Sequence, residues 1–143
     1  IDMTVVTDGL FTGEARLEDG RLQTLNIQTC VEQKQYQSGR EVSTQYLYVS
    51  TEILRNISER SDSISALSQL ALRLNAGALA PETHKNDHEF SLGAIALDNN
   101  RLIFGQAIPT AHISVNALRD CLQAVAKSGD ELERFFQKRQ DAF

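Results

Sequence analysis

Between Gly9 and Thr51 the chain carries three strand-like stretches joined by two glycine turns, with no room for a helix between them. This order constrains the fold more than any other feature. Strands joined by short turns pair antiparallel, whereas a parallel pair needs a long crossover. The first stretch, Leu10 to Leu17, ends at Glu18-Asp19-Gly20, and Asp-Gly is a strong hairpin signal. The second runs from Arg21 to Gln35, where Leu25, Ile27 and Thr29 alternate with Asn26 and Gln28. A turn at Gln37-Ser38-Gly39-Arg40 leads into the third, about Val42 to Ser50. Tyr46 and Tyr48 share one face of it, Leu47 and Val49 the other, which predicts a central strand.

The period then changes. Ile64, Leu67, Leu70, Ala71 and Leu74 recur at helical spacing, with Ser61, Asp62 or Ser63 available as a cap and Gly77 or Pro81 as a limit. Pro81 to Asp87 reads as a polar loop. Phe90 to Leu97 and Arg101 to Ile108 read as a hairpin about Asp98-Asn99-Asn100, closed by Pro109. Ser114 is placed to cap a last helix whose stripe is Leu118, Cys121, Leu122, Val125, Leu132 and Phe136. Gly129 falls on that stripe, so it either permits close packing or divides the helix. The predicted fold is α+β: a five-stranded antiparallel sheet packed by helices, in the order β-β-β-α-β-β-α. One domain spanning 1–143 suits a chain of 143 residues.

Charge and motifs exclude several functions. The net charge of −5 is mixed in sign, and no basic stripe offers phosphates a footprint. No run of about 20 apolar residues predicts a membrane span. The eight glycines are scattered and match no phosphate-cradling or dinucleotide pattern. Cys30 and Cys121 read as buried apolar thiols. His84, Asp87 and His88 include metal-ligand types, but Pro81 and Asn86 argue for a solvated loop, with Glu82 or Glu89 the nearest further donors. His112 reads as a residue beside the last helix start. Asp19 and Asp98 serve turns, and Glu131 and Glu133 read as an exposed helix face. The residues supply no recognisable catalytic group, cofactor site or metal site, and the chain reads as a cytoplasmic, non-enzymatic protein-binding module; the alternatives are a small-ligand-binding or enzymatic protein without a recognisable motif, or a structural dimer in a larger assembly.

Leu74-Asn75, the run Phe90-Ser91-Leu92-Gly93-Ala94-Ile95-Ala96-Leu97-Asp98, Arg101-Leu102-Ile103-Phe104 and Ala107-Ile108-Pro109 together resemble the YbjN-like family. The helix with Leu118 and Leu122, closing at Asp130-Glu131-Leu132, continues the likeness. Members are called bacterial sensory transduction regulators, and their fold is similar to class I type III secretion chaperones. The resemblance implies a homodimer that holds partner protein segments and carries no catalytic or cofactor residues. It also implies an opening helix, and none is evident before Met3. Leu72 lies off the Ile64–Leu67–Leu74 face, and Ala76 to Ala80 extends the apolar run. Leu72, Leu79, Phe90, Ile95 and Phe104 are therefore the candidate dimer or partner surface.

Overall fold

The structure is a computed structural model, and it describes residues 3–7, 9–57, 64–75, 93–111 and 113–138. The element order is β1 (Met3–Thr7), β2 (Leu10–Arg16), β3 (Leu22–Gln35), β4 (Glu41–Arg55), α1 (Ile64–Asn75), β5 (Ala94–Asp98), β6 (Arg101–Pro109) and α2 (Val115–Lys138). The fold is α+β, with an antiparallel sheet packed by two helices. The sheet has the order β1-β2-β3-β4-β6-β5. The five expected strands are present, and β1 is a sixth, paired with β2 from Met3↔Gly13 to Thr7↔Leu10.

Each turn does what its residues favour. Leu17 N–H donates to the Arg21 carbonyl across the Asp19-Gly20 turn, and Gly20 takes φ 86°. Asn99 takes φ 54° in the two-residue β5–β6 turn, a conformation asparagine tolerates. Strand β4 reaches Arg55, five residues past its expected end. A register shift between Glu52 and Leu54 breaks the alternation there. Ile53 and Leu54 are consequently both buried, which hides the strand from a period-two reading. Strand β5 is described from Ala94 to Asp98; residues 90–92 of the expected strand, like the proposed caps and limits of α1, lie outside the described residues.

One sheet face carries the core. Ala15, Leu25, Ile27, Val49, Phe104 and Ile108 point from four strands toward α2, which supplies Leu122, Val125, Leu132 and Phe136. Burying each of these side chains larger than Ala15 contributes roughly 1.5–3 kcal/mol. Ser114 caps α2: its Oγ accepts from Ala117 N–H at 3.0 Å. Leu74 of α1 joins the same core beside β5. The last residue of α1, Asn75, fastens it to the sheet edge. Its Nδ2 donates to the Ile95 carbonyl at 2.8 Å, and its Oδ1 accepts from Ile95 N–H at 2.6 Å.

Helix α2 is undivided, so Gly129 serves close packing. A Cβ at this position would fall inside the van der Waals shell of Thr51 Cγ2 on β4. Thr51 cannot retreat. It is 1 % exposed, its Oγ1 donates to the Thr24 carbonyl at 2.8 Å, and the same oxygen accepts from Gln23 Nε2 at 2.7 Å. Gly129→Ala should therefore destabilise the fold by about 1–2 kcal/mol, despite a helix-propensity gain of roughly 1 kcal/mol. Thr51→Ser keeps the hydroxyl and removes the obstructing methyl, so it should recover part of that loss in the double variant. Chemical denaturation of the four proteins checks this coupling, and strictly additive effects would contradict it.

Candidate functional site

The feature that sets this sheet apart is the length of its central hairpin. Strands β3 and β4 pair over ten positions, from Asn26↔Ser50 to Gln35↔Glu41. Their neighbours stop early. Strand β2 leaves β3 at Leu10↔Gln28, with one further bond from Thr29 N–H to the Gly9 carbonyl. Strand β6 leaves β4 at Tyr46↔Pro109, after which Thr110 N–H and Oγ1 both donate to the Gln45 carbonyl. Beyond these points a two-stranded ribbon projects about 20 Å, at roughly 3.3 Å per residue. Every residue from Val31 to Glu41 is exposed, including Val31 and Tyr36.

The ribbon turns through Tyr36–Arg40. Tyr36 N–H donates to the Arg40 carbonyl and Gly39 N–H to the Tyr36 carbonyl, with Gly39 at φ 82°. This is a three-residue hairpin loop that needs a left-handed residue at its last position. The bond from Tyr36 to Arg40 also fixes which peptides face outward. Even-numbered β3 residues from Cys30 to Tyr36 turn their N–H and C=O toward β4. Val31, Gln33 and Gln35 turn theirs away, as Thr29 does when it reaches Gly9. Among the described residues these three peptides meet no further strand. An open strand edge of this kind is a template for strand addition.

Cys30 and Tyr46 face each other at the ribbon root. The Tyr46 hydroxyl is pushed above its ordinary pKa, first by its hydrogen bond with the Cys30 thiol. Both cysteines are half-buried rather than buried: Cys30 lies on the sheet face away from α2, and Cys121 at the rim of the core.

At the other end of β3 a groove of about 820 Å³ separates the β2–β3 turn from α2. Asp19, Asp130 and Arg134 on its wall join Arg21 in a closed ring of charges. Arg21 contacts Asp19 at 2.6 Å and Asp130 at 2.8 Å; Arg134 contacts Asp19 at 3.1 Å and Asp130 at 3.3 Å. The ring answers its own charges and ties turn to helix, so its members do not converge on a ligand. Asp19 is held below the usual carboxylate range, chiefly by the Arg21 backbone N–H. Burial pushes Asp130 up, against the pull of Arg21.

The candidate surface residues separate. Leu72 is 68 % exposed on α1, whereas Ile95 and Phe104 are 6 % and 2 % exposed and belong to the monomer core. Those two cannot offer surface, because cross-strand pairing of Ile95 with Phe104 turns both toward the helices. Leu79 and Phe90 lie outside the described residues, as do His84, Asp87, His88, Glu82, Glu89 and His112. Among the described residues no group of three or more His, Cys, Asp or Glu is placed to hold a metal. No described helix is long and apolar enough to cross a membrane. Sequence reasoning missed the projecting ribbon, although Gly39 marked its turn; the contrast with the shorter β2 and β6 was the usable signal.

Glu131 and Glu133, read as exposed, are half-buried. Burial holds the Glu133 carboxyl above its ordinary value, with Asp130 adding repulsion and Gln23 opposing by hydrogen bonding. A raised folded-state pKa means the charged form costs stability, a cost present above that pKa and absent below the unfolded value. Glu133→Gln should therefore stabilise the protein near pH 7, and its advantage should vanish as pH falls toward about 4. Denaturation midpoints of both proteins across that range check the sign; a pH-independent difference would remove the burial argument.

Neither a family model nor a curated protein matches this chain.

Proposed function

We propose that this chain is a non-enzymatic protein-binding module, regulatory or chaperone-like, that engages extended polypeptide by strand addition along the β3–β4 ribbon. One observation carries the reading: the ribbon outruns both of its neighbours and presents two strand edges whose backbone groups meet no further strand among the described residues. Strand addition draws affinity from main-chain hydrogen bonds and needs no ATP. The partner segment loses conformational freedom on binding, so a long contact of this kind has modest affinity. The likeness to the YbjN-like family and to secretion chaperones points the same way, since both suggest cytoplasmic homodimers that handle other proteins. The reading includes no cofactor, nucleic acid or membrane.

Proline tests the edges without dismantling the ribbon. At Gln33 or Ser43 it removes an N–H that points outward and leaves the bonds between β3 and β4 in place. Partners captured from the source cell by the parent chain should be lost on combining Gln33→Pro with Ser43→Pro. Hydrogen exchange of the complex should slow at residues 31, 33, 35 or 43. Partners that bind the proline variant unchanged, with protection mapped elsewhere, would place the binding site off the ribbon.

A further inference from the structure

We infer that the β3 edge of the ribbon binds the same edge of a second copy of this chain, antiparallel, with the two-fold axis at Gln33. This rests on the reading of the ribbon as the binding element, and names one of its partners.

Hydrogen-bond geometry limits the registers. The peptides facing outward on the free part of β3 are those of Val31, Gln33 and Gln35, because Thr29 N–H is engaged by Gly9. An axis at Gln33 sets Gln33 against the partner's Gln33, and Val31 against the partner's Gln35. Both are pairs of residues that exchange two bonds, so the edge satisfies all three peptides on each side. An axis at Val31 would set Gln33 against the engaged Thr29. An axis at Gln35 would run into the Tyr36–Arg40 turn.

Charge selects among the rest. Glu32 and Lys34 flank Gln33 on one face of the ribbon, 3.7 Å apart at their charged ends and both more than half exposed. With the axis at Gln33, Glu32 lies opposite the partner's Lys34, and Lys34 opposite the partner's Glu32. These are the close pairs of an antiparallel ladder, the ones without direct hydrogen bonds, where opposite charges interact best. Moving the axis one residue stacks Glu32 on its own copy, or Lys34 on its own copy. The alternation Glu-Gln-Lys thus complements itself in one register and repels in its neighbours. A lysine on an edge strand ordinarily discourages strand addition. Here it discourages partners that bring no acidic residue to that position, while the chain's own copy brings one.

Sedimentation across protein concentration tests this. The parent should form a particle of twice 15.9 kDa in the micromolar range. Glu32→Lys or Lys34→Glu alone makes both close pairs repulsive, and each should weaken pairing by about tenfold or more. An equimolar mixture of these two variants restores opposite charges and should pair again, as should the chain carrying both changes. Melting temperatures equal to the parent's at concentrations low enough that the parent is monomeric would show that the variants remain folded, as expected of exposed ribbon positions. A chain that stays monomeric at high micromolar concentration overturns the proposal, and so does a dimer indifferent to all three variants. Monomers whose captured partners are lost on Gln33→Pro overturn self-pairing and leave the protein-binding reading standing. A charge-sensitive dimer whose other partners ignore both prolines supports self-pairing and overturns that reading.

Discussion

The contact on which this architecture depends is the seat of Gly129 against Thr51. Helix α2 crosses the sheet over its central strand, and the crossing is close because one side chain is missing. Thr51 spends its hydroxyl on Thr24 and Gln23 of β3, so the residue that receives the helix also fastens β4 to β3. Sheet pairing and helix docking therefore share one residue, the first through its hydroxyl and the second through its methyl. Around that point Ser128, Leu132 and Val125 are almost wholly buried, which no looser crossing would allow. A helix lying high on the sheet would leave gaps that the aliphatic core residues cannot fill.

Much of this was legible in the sequence, for local reasons. Asp19-Gly20, Gly39 and Asn99 marked turns because left-handed backbone restricts the residues that can occupy it. Ser114 marked a helix start because a hydroxyl answers an otherwise free N–H. Strand β1 was missed although Thr4, Val5, Val6 and Thr7 favour strands and Asp8-Gly9 follows them; a short edge strand alternates over too few residues to stand out. The charge ring was beyond reach, since Arg21 meets Asp130 across 109 residues of chain. The same distance explains Glu133. Its spacing puts it on an exposed-looking helix face, and only the arrival of β3 and Gln23 beneath that face makes it half-buried.

The ribbon shows how a uniform local pattern yields a non-uniform object. Strands β3 and β4 have 14 and 15 residues, whereas β2 has 7 and β6 has 9. The sheet's width is therefore set by its short members and its reach by its long ones. Composition follows this division. Leu25 and Ile27 give way along β3 to Glu32, Gln33, Lys34 and Gln35 where α2 no longer covers the strand. A two-stranded ribbon without a core is marginal alone, and this one is anchored by the covered halves of the same strands.

The far side of the sheet handles its edge differently, and the difference has a kinetic meaning. The Asn75 amide occupies the outward peptide of Ile95 as a neighbouring strand would. Because Asn75 ends α1, the seal and the helix leave together: any opening that lifts Leu74 out of the core also bares a strand edge beside newly exposed apolar surface. Such a partly open state combines the two ingredients of aggregation in one excursion. How fast a concentrated sample clumps should then be governed by how often α1 lifts, well before the whole molecule unfolds.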